Sequence, residues 1–432
     1  MTPREATRAI WDAALAAANV EPLVRDALTL EGSMLAVEDR AFDLRRLDRL
    51  IVLGCGKAGA AMAGAVEGAL GDRIAQGLVV VKDGYTAPTR CVLVAEAGHP
   101  VPDARGQAAA AGLLKLARSA GQNDLILFLI SGGGSALTPA PAPPLTLEEK
   151  QSVTRLLLSA GATINELNAV RKHLSLFKGG QLARAAWPAP VLALILSDVI
   201  GDPLDVIASG PTAPDPTTFA DALAVLERRA VRERTPAAIL ARLVAGARGE
   251  VEETPKPGDL IFEGVTNVIV GNNEDIVSAA ADAAENLGYQ PYVLPRALEG
   301  EAGEAARYVL SCARGLVRPA CLIAGGETTV TVRGRGRGGR CQEFALAAAL
   351  ALDLGDDRVV LAAGTDGTDG PTDAAGGLVD AGTLERGRAA GLDPQRALDD
   401  NDAYTFLRAS GDLLVTGPTN TNLLDLYLIV RA

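Results

Sequence analysis

The stretch "LIVLGCGKAGAAMAG", residues 50–64, predicts a buried strand that enters a glycine turn and continues as an alanine-rich helix. Gly54, Gly56 and Gly59 give the turn the spacing G-x-G-x-x-G, which is associated with dinucleotide binding. Lys57 lies inside the turn, where a dinucleotide-binding fold usually leaves room for backbone only. The turn therefore leaves two alternatives open, one in which it holds NAD and one in which Lys57 serves another chemistry.

An NAD site also needs an acidic residue about 20 positions after the glycines, and Asp83 roughly meets this requirement. Three features count against NAD. Lys57 would crowd the approach of the pyrophosphate, and further glycine loops in the chain would have no role. The chain also has a surplus of loop carboxylates suited to Mg²⁺, which hydride transfer does not need.

From residue 48 onward, short apolar runs alternate with helical stretches. The runs lack polar alternation, which is typical of parallel strands buried on both faces, and the helices between them predict βαβ units. A charged, proline-bearing stretch at residues 246–262 interrupts the pattern, and the alternation restarts with "VTNVIVGNN", residues 265–273. The sequence therefore predicts an α/β fold with two domains, residues 1–250 and residues 255–432.

Composition limits the partners. The chain has 432 residues and a formal net charge of −12, which argues against nucleic acid or an anionic membrane as the main partner. Five scattered cysteines without a C-x-x-C spacing favour reduced thiols. The N-terminus lacks the features of a signal peptide, and no apolar run approaches the ~20 residues that span a bilayer. We expect a cytoplasmic protein.

A second glycine loop, "SGGGSA", follows the apolar run "DLILFLI" directly and spans residues 131–136. Three successive glycines let the backbone approach a ligand closely, and two serines add hydroxyl donors. The loop is a candidate phosphate or carboxylate cradle, and the alternative is a tight structural turn. The candidate binding residues are Ser131, Gly132, Gly133, Gly134 and Ser135, together with Gly56 of the first turn.

The segment "NAVRKHLSLFKGG", residues 168–180, concentrates basic side chains. Arg171 and Lys178 are candidate ligands for an anionic substrate, although a solvated helix face explains most such runs. His173 is expected to be structural or hydrogen-bonded and not a general base.

Two loops supply carboxylates. Asp198 follows the apolar run "VLALIL", and ligands of open α/β sheets bind beyond the carboxyl ends of strands. It could hold Mg²⁺ or accept a proton from a hydroxyl, and the alternative is an ordinary loop acid. The segment "GTDGTDGPTDAAGG", residues 364–377, carries Asp366 and Asp369 without EF-hand spacing, and Mg²⁺ needs only one or two carboxylates plus substrate phosphates.

The segment "RGRGRGGR", residues 333–340, resembles a disordered RNA-binding tract in composition. Because it lies between a predicted strand, "TTVTV", and an apolar helix, we expect a glycine loop that presents Arg340 at a helix N-terminus. Glu327 could bind a metal or orient Arg340.

A phosphoryl-transfer enzyme would use all of these features, since it must cradle a polyphosphate, bind Mg²⁺ and neutralise the transferred group. The chain has no P-loop and no protein-kinase signature, so such an activity would need another architecture.

Six motifs together resemble the class II glycerate 2-kinases, a family that includes proteins historically labelled hydroxypyruvate reductase. They are "GCGKAGAAMA", "SGGGSALTPAP", "LNAVRKHLSLFKGGQLA", "SDVIGDPLDVIASGPT", "GGETTVTV" with "GGRCQEFAL", and "GTDGTDGPTDAAGG". They cover nearly the whole chain in collinear order. The resemblance implies ATP- and Mg²⁺-dependent phosphorylation of D-glycerate at its 2-hydroxyl. It also implies a Rossmann-like N-terminal domain and a smaller α/β C-terminal domain, with the active site in the cleft.

The resemblance also implies roles for single residues. Lys57 would neutralise the transferred phosphoryl group, Arg340 would grip a carboxylate or phosphate with two hydrogen bonds, and Asp198 would hold magnesium or take the hydroxyl proton. The loop at residues 131–135 would bind anionic oxygens of either the nucleotide or glycerate. The partners are thus a nucleotide and a small acid, and the prediction allows a homodimer. The rival functions are an NAD(P)H-dependent hydroxypyruvate reductase and a ligand-sensing module.

Overall fold

The computed structural model describes residues 1–353 and 355–432 of the chain. The fold is mixed α/β, as the sequence predicts, and the chain divides into two compact units. One unit is formed by Val20–Val270, and the other by Met1–Asn19 together with Gly271–Ala432. Among the described residues, none of the helices combines the length and apolar character needed to cross a bilayer.

The strands form three sheets. In chain order they are β1 (Thr29–Glu31), β2 (Met34–Val37), β3 (Arg40–Asp43), β4 (Leu50–Cys55), β5 (Ile74–Lys82), β6 (Val92–Ala97), β7 (Leu125–Ile130), β8 (Val191–Leu196), β9 (Val265–Gly271), β10 (Gln290–Val293), β11 (Ala320–Gly326), β12 (Arg358–Gly364), β13 (Gly376–Val379), β14 (Leu413–Leu414) and β15 (Asp425–Arg431).

The helices surround the sheets. In chain order they are α1 (Pro3–Ala17), α2 (Val20–Ala27), α3 (Gly59–Leu70), α4 (Ala104–Arg118), α5 (Gly134–Leu137), α6 (Leu147–Ser159), α7 (Ile164–His173), α8 (Gln181–Ala186), α9 (Phe219–Arg228), α10 (Ala237–Ala247), α11 (Asn273–Asn286), α12 (Ala302–Ala313), α13 (Arg340–Ala351), α14 (Thr383–Ala389), α15 (Pro394–Asp399) and α16 (Ala403–Ser410).

The unit at residues 20–270 is built on a sheet with the strand order β6-β5-β4-β7-β8-β9. The pairs β6–β5, β5–β4, β4–β7 and β7–β8 are all parallel. Counted from β4, this order is 3-2-1-4-5-6, the order of a doubly wound α/β sheet, and its direction reverses between β4 and β7. Ligands of such sheets bind outside the carboxyl ends of the strands at this reversal.

Strands β4, β7 and β8 are buried along their whole length, which explains why their sequences are uninterrupted apolar runs. Apart from the buried strands, an apolar cluster joins α6, α7, α9 and α10 through residues such as Leu157, Val170, Phe219 and Leu243. This helical layer holds α6 and α7 in place, and both helices begin with a capping box. A small antiparallel sheet, β1-β2-β3, also belongs to this unit.

The other unit contains a mixed sheet with the strand order β10-β11-β15-β12-β13-β14. Only β10–β11 is parallel among its described pairs, and the remaining pairs are antiparallel. The last strand, β15, therefore lies at the centre between β11 and β12. Its apolar core includes Phe344 and Tyr427, whose rings lie 4.6 Å apart between centroids.

The division of the chain differs from the predicted boundary at residues 250–255. Strand β9 was expected to open the second domain, but it hydrogen-bonds beside β8 and extends the first sheet. Helix α1 packs against α11, β12 and β15, so the first residues of the chain fold with the last. The predicted strand "TTVTV" at residues 328–332 is wrong, because only Thr329 forms an isolated bridge there, to Glu301.

Candidate active site

Two glycine loops meet where the first sheet reverses direction. Gly56 follows β4 and Ser131 follows β7, and these strands are neighbours. The Lys57 N–H donates to the Gly132 carbonyl oxygen at 2.8 Å, and the Ser131 N–H donates to the Cys55 carbonyl oxygen at 3.0 Å. The Ala58 N–H donates to Ser131 Oγ at 3.0 Å. The two loops therefore form one hydrogen-bonded structure, and the side chain of Lys57 is half-buried at its edge.

Two glycines of this structure are required by geometry. Gly56 has φ +132°, and a Cβ there would lie 2.2 Å from Ser131 Oγ. Gly133 has φ +85°, and a Cβ there would lie 3.1 Å from the His99 ring and 3.5 Å from Lys57 Cγ. Both positions combine a left-handed backbone with close contacts, which a side chain would disrupt. Lys57 and His99 thus both lie beside Gly133.

Ser135, at the end of the second loop, is where several predicted residues converge. Arg171 Nη2 donates to Ser135 Oγ at 2.6 Å, and Lys178 Nζ donates to the Ser135 carbonyl oxygen at 2.6 Å. Ser135 Oγ also lies 2.9 Å from Ser209 Oγ, which in turn donates to Asn168 Oδ1 at 3.1 Å. Arg171 and Lys178 are therefore directed at the glycine loop and do not lie on a solvated helix face, whereas Lys172 pairs with Asp205 and Asp215.

The local structure explains this convergence. Arg171 lies in the last turn of α7, whose start is set by the capping box of Thr163 and Glu166. Lys178 follows where the chain leaves that helix. Ser209 has φ +63°, which is uncommon for a residue with a side chain and is often found at functional sites.

Burial lowers the pKa of both cations. It lowers the pKa of Lys178 well below its ordinary value, and the nearby positive charges of Arg171 and Lys150 lower it further. Burial also lowers the pKa of Arg171 to about 10. Such cations are stabilised when an anion binds beside them, so the region around Ser135 is suited to an anionic ligand.

Asp198 is half-buried and follows β8, which lies next to β7 in the sheet. It therefore lies at the same edge of the sheet as the two glycine loops, as the sequence predicts.

Two other predicted residues have partners within the protein. Asp83, the acid that an NAD site would require, accepts two hydrogen bonds from Arg105, at 2.7 and 2.8 Å. His173 is buried, with its ring nitrogens 2.6 Å from the Ala169 carbonyl oxygen and 3.1 Å from Glu253 Oε2, which confirms its structural role.

In the other unit, Arg340 is held by two carboxylates. Its Nε and Nη2 donate to the buried Asp425 at 2.6 and 2.9 Å, and its Nη1 donates to Glu327 Oε1 at 2.6 Å. Tyr427 OH also donates to Asp425 Oδ2, at 3.1 Å. The two-pronged edge of the guanidinium, which was expected to grip a substrate, binds Asp425 instead. The prediction that Glu327 orients Arg340 agrees with these contacts.

The pKa of Arg340 reflects the same contacts. Burial lowers it, but the charge of Asp425 and its hydrogen bonds, together with Glu327, raise it by more, so the net pKa lies above the ordinary value. Arg340 is therefore permanently charged and neutralised from within the protein.

The carboxylates of the loop at residues 364–377 also have internal contacts. Asp369 Oδ2 accepts the Gln342 N–H at 2.8 Å, so this buried residue caps the N-terminus of α13. Burial raises the pKa of Asp369 to about 7, although the hydrogen bond from Gln342 opposes the shift. Asp366 Oδ1 accepts from the N–H and the hydroxyl of Thr368 at 2.9 and 3.1 Å.

Across residues 1–353 and 355–432, the structure contains no group of three or more His, Cys, Asp or Glu side chains arranged to hold a metal ion. A magnesium site here would have to rely on one or two carboxylates and on substrate oxygens.

Several site residues were missed by the sequence analysis. Ser209 and Asn168 complete the network around Ser135, and both lie inside motifs quoted above without being singled out. Asp425 had a visible signal, because it is the acid that begins an apolar strand. Lys150 lies on the buried face of α6 with Leu147, a position where a lysine is unusual.

The fold and these contacts define an α/β protein in which two joined glycine loops and two buried cations lie at the carboxyl edge of a doubly wound sheet. Residues 6–244 match a family described as a domain of unknown function (DUF4147), and residues 320–425 match the MOFRL family. The chain belongs to the glycerate 2-kinase family, as the motifs predict.

Three comparisons support this membership. The D-glycerate 2-kinase of Thermotoga maritima is 45% identical over 392 residues, which cover 88% of this chain and 90% of the relative. The crystal structure of a glycerate kinase from Thermotoga maritima matches with a TM-score of 0.85 and 40% identity, over 99% of both chains. A relative from Agrobacterium vitis, 42% identical over 100% of this chain and 95% of its own length, has a name that gives hydroxypyruvate reductase as an unproven activity.

Proposed function

We propose that the chain transfers the γ-phosphoryl group of ATP to the 2-hydroxyl of D-glycerate, giving 2-phosphoglycerate and ADP. The observation that carries this proposal is the joined pair of glycine loops at the reversal of the sheet, with Lys57 at its edge and Arg171 and Lys178 directed at Ser135. The relatives from Thermotoga maritima are named a D-glycerate 2-kinase and a glycerate kinase, which supports phosphorylation of glycerate.

Phosphoryl transfer needs mainly positioning and charge neutralisation. Lys57 supplies a positive charge beside the glycine loop and neutralises the transferred group. Arg171 and Lys178 hold anionic oxygens near Ser135. As the new P–O bond forms, the bond between the γ-phosphorus and the leaving oxygen of ADP breaks. Asp198 either accepts the proton of the attacking hydroxyl or holds Mg²⁺.

Magnesium fits part of the predicted ligand set. Asp198 is suited to it, since it is half-buried at the edge of the sheet where the glycine loops lie. Asp369 fits less well, because one oxygen of its buried carboxylate already accepts the Gln342 N–H at 2.8 Å and caps α13. When bound, Mg²⁺ would neutralise charge on the phosphate oxygens.

In the other unit, we propose that Arg340 is a positioning residue. It fixes Glu327, whose side chain is 43% exposed and can meet a ligand, and it compensates the buried charge of Asp425. That Arg340 and Lys57 serve the same reaction stays a prediction, as do the homodimer and the cytoplasmic location.

The test is direct. The purified protein is incubated with D-glycerate, ATP and Mg²⁺, and separately with hydroxypyruvate and NADH. We expect ADP formation only in the first reaction, with a phosphorus NMR signal of 2-phosphoglycerate. NADH oxidation would favour the reductase, a 3-phosphoglycerate signal would refute the assigned position, and ligand-induced stabilisation without product would favour a sensing module.

A further inference from the structure

A pocket of about 300 Å³ lies beside the second glycine loop. Its lining includes Ser135 and the exposed side chains of Val101 and Leu158. The residues that line it are Pro100, Val101, Pro102, Ser135, Pro139, Leu147, Lys150, Gln151, Thr154, Arg155, Leu158, Leu167, Arg171 and Lys178. The volume is at the lower end of the range for small-molecule sites.

The charge of this pocket has one sign. Four of its lining residues are cations, namely Lys150, Arg155, Arg171 and Lys178, and none of those described is an Asp or Glu. Lys150 is 7% exposed, and within the described part of the chain its Nζ has no hydrogen-bond partner. A buried ammonium without a partner is costly, and an anion in the pocket would remove that cost.

The rest of the lining is apolar. Prolines and leucines form a wall, and Val101 and Leu158 at the rim are 62% and 57% exposed. D-glycerate carries a polar group on every carbon, so it has no surface that would match this wall. A nucleotide has both parts that the pocket recognises, because its phosphates are anionic and its base has flat, apolar faces.

We propose that this pocket binds the nucleotide, with phosphates toward Lys150, Arg171 and Lys178 and the base against the wall at Val101 and Leu158. This inference rests on the proposed function and assigns one of its two substrates. The pocket adjoins the glycine loop, since Ser135 belongs to both and Pro100 follows His99, which lies beside Gly133. It leaves the acid substrate to other residues.

The ionisation of Lys150 supports this assignment. Burial lowers the pKa of Lys150 to about 7, and the positive charges of Arg171 and Arg242 contribute. Lys178 also faces the pocket with a lowered pKa. A phosphate bound beside these amines would raise their pKa, so nucleotide binding at pH 8 takes up protons.

The test measures ADP binding by isothermal titration calorimetry, which needs no turnover. In Lys150→Met we expect about 10-fold weaker binding of ADP and of tripolyphosphate. We also expect fewer protons to be taken up on binding, a number that is measured by repeating the titration in buffers of different ionisation enthalpy. In Leu158→Gln we expect about threefold weaker binding of ADP and unchanged binding of tripolyphosphate. Leu93→Gln is the matched control, because Leu93 is 71% exposed and lies outside the pocket.

The outcomes separate this inference from the proposed function. Unchanged ADP binding in both variants, with D-glycerate still phosphorylated, overturns the pocket and leaves the function. ADP binding that depends on Lys150 in a wild-type protein without kinase activity supports the pocket and overturns the function. A raised KM for D-glycerate with an unchanged KM for ATP in both variants assigns the pocket to the acid and refutes the inference.

Discussion

Arg171 and Arg340 both follow the same sequence logic, as arginines near glycine loops in an acidic chain, and both were predicted to bind an anion. The structure gives them different surroundings. Arg171 donates to a serine hydroxyl beside a pocket that has no acid among its described lining residues. Arg340 is held by Asp425 and Glu327, with Asp425 fully buried.

The comparison teaches that the carboxylates which the fold places beside an arginine decide how strongly that arginine is already neutralised. Around Arg171, burial lowers the pKa of the cations, so the site favours an incoming anion. Around Arg340, internal charges raise the pKa, so the site is already satisfied. Removing a cation should therefore reduce activity in the first region and stability in the second.

The largest effect is expected for Lys57→Ala, in the region of the glycine loops. We expect kcat/KM to fall about a thousandfold, or about 4 kcal/mol of transition-state stabilisation, with an unchanged melting temperature. Steady-state kinetics and circular dichroism melts provide the measurement. Lys115→Ala on the exposed face of α4 is the control, and near wild-type rates for Lys57→Ala would contradict the role of this lysine.

Replacing Arg340 tests the second region, where the cation is expected to contribute to stability. Arg340→Met leaves the buried Asp425 without its cation and should lower the free energy of unfolding by about 3 kcal/mol. Urea unfolding monitors this loss. Arg171→Met is the matched control. It should leave the free energy of unfolding unchanged and raise the KM for ATP.

A double variant, Arg340→Met with Asp425→Asn, removes both charges and so separates the effect of charge from the effect of packing. It should recover most of the lost stability, because no buried charge is left unpaired. If the double variant is as unstable as the single one, Arg340 stabilises the unit through packing and not through charge.

The glycine loops should also respond to a single added methyl group. Gly56→Ala places a Cβ on a backbone with φ +132° and 2.2 Å from Ser131 Oγ. We therefore expect the free energy of unfolding to fall by about 2 kcal/mol and most of the activity to be lost. Gly68→Ala in α3 has no atom within 4 Å of its added Cβ and should be neutral or stabilising. Equal effects for the two variants in unfolding experiments would rule out the close contact between the loops.

The smallest effect concerns pH. Below pH 7, Lys150 is charged in both the folded and the unfolded chain, so the fold bears the full cost of burying it. Between pH 7 and about 10.5, the unfolded chain binds more protons at Lys150 than the folded chain does. The free energy of unfolding of the wild-type protein therefore rises with pH in this range. Lys150→Met should therefore be more stable by about 1 kcal/mol or more below pH 7.

This advantage should shrink as the pH rises toward 10. Unfolding in urea at several pH values measures it, and Lys115→Met provides a surface control with a constant difference. A difference for Lys150→Met that does not vary with pH would show that Lys150 has an ordinary pKa.

Much of the first unit followed from the sequence. Its strands were visible as apolar runs without polar alternation, because burial on both faces removes polar positions, and β4, β7 and β8 formed as expected. The glycine spacing around Gly56 was visible because only glycine tolerates such a backbone and such a close neighbour. The second unit was harder, since its strands are mostly antiparallel and joined by irregular segments such as residues 327–339.

By itself, the sequence determined the fold class, the family and the identity of the glycine loops, because these depend on local patterns and motif order. Only the tertiary structure decided that α1 folds with the end of the chain and that β9 extends the first sheet. It also decided that Arg340 is neutralised by Asp425, 85 positions away, while Lys150 lines a pocket whose described lining residues include no Asp or Glu. Charge and solvation depend on neighbours in space, and a linear pattern does not specify those neighbours.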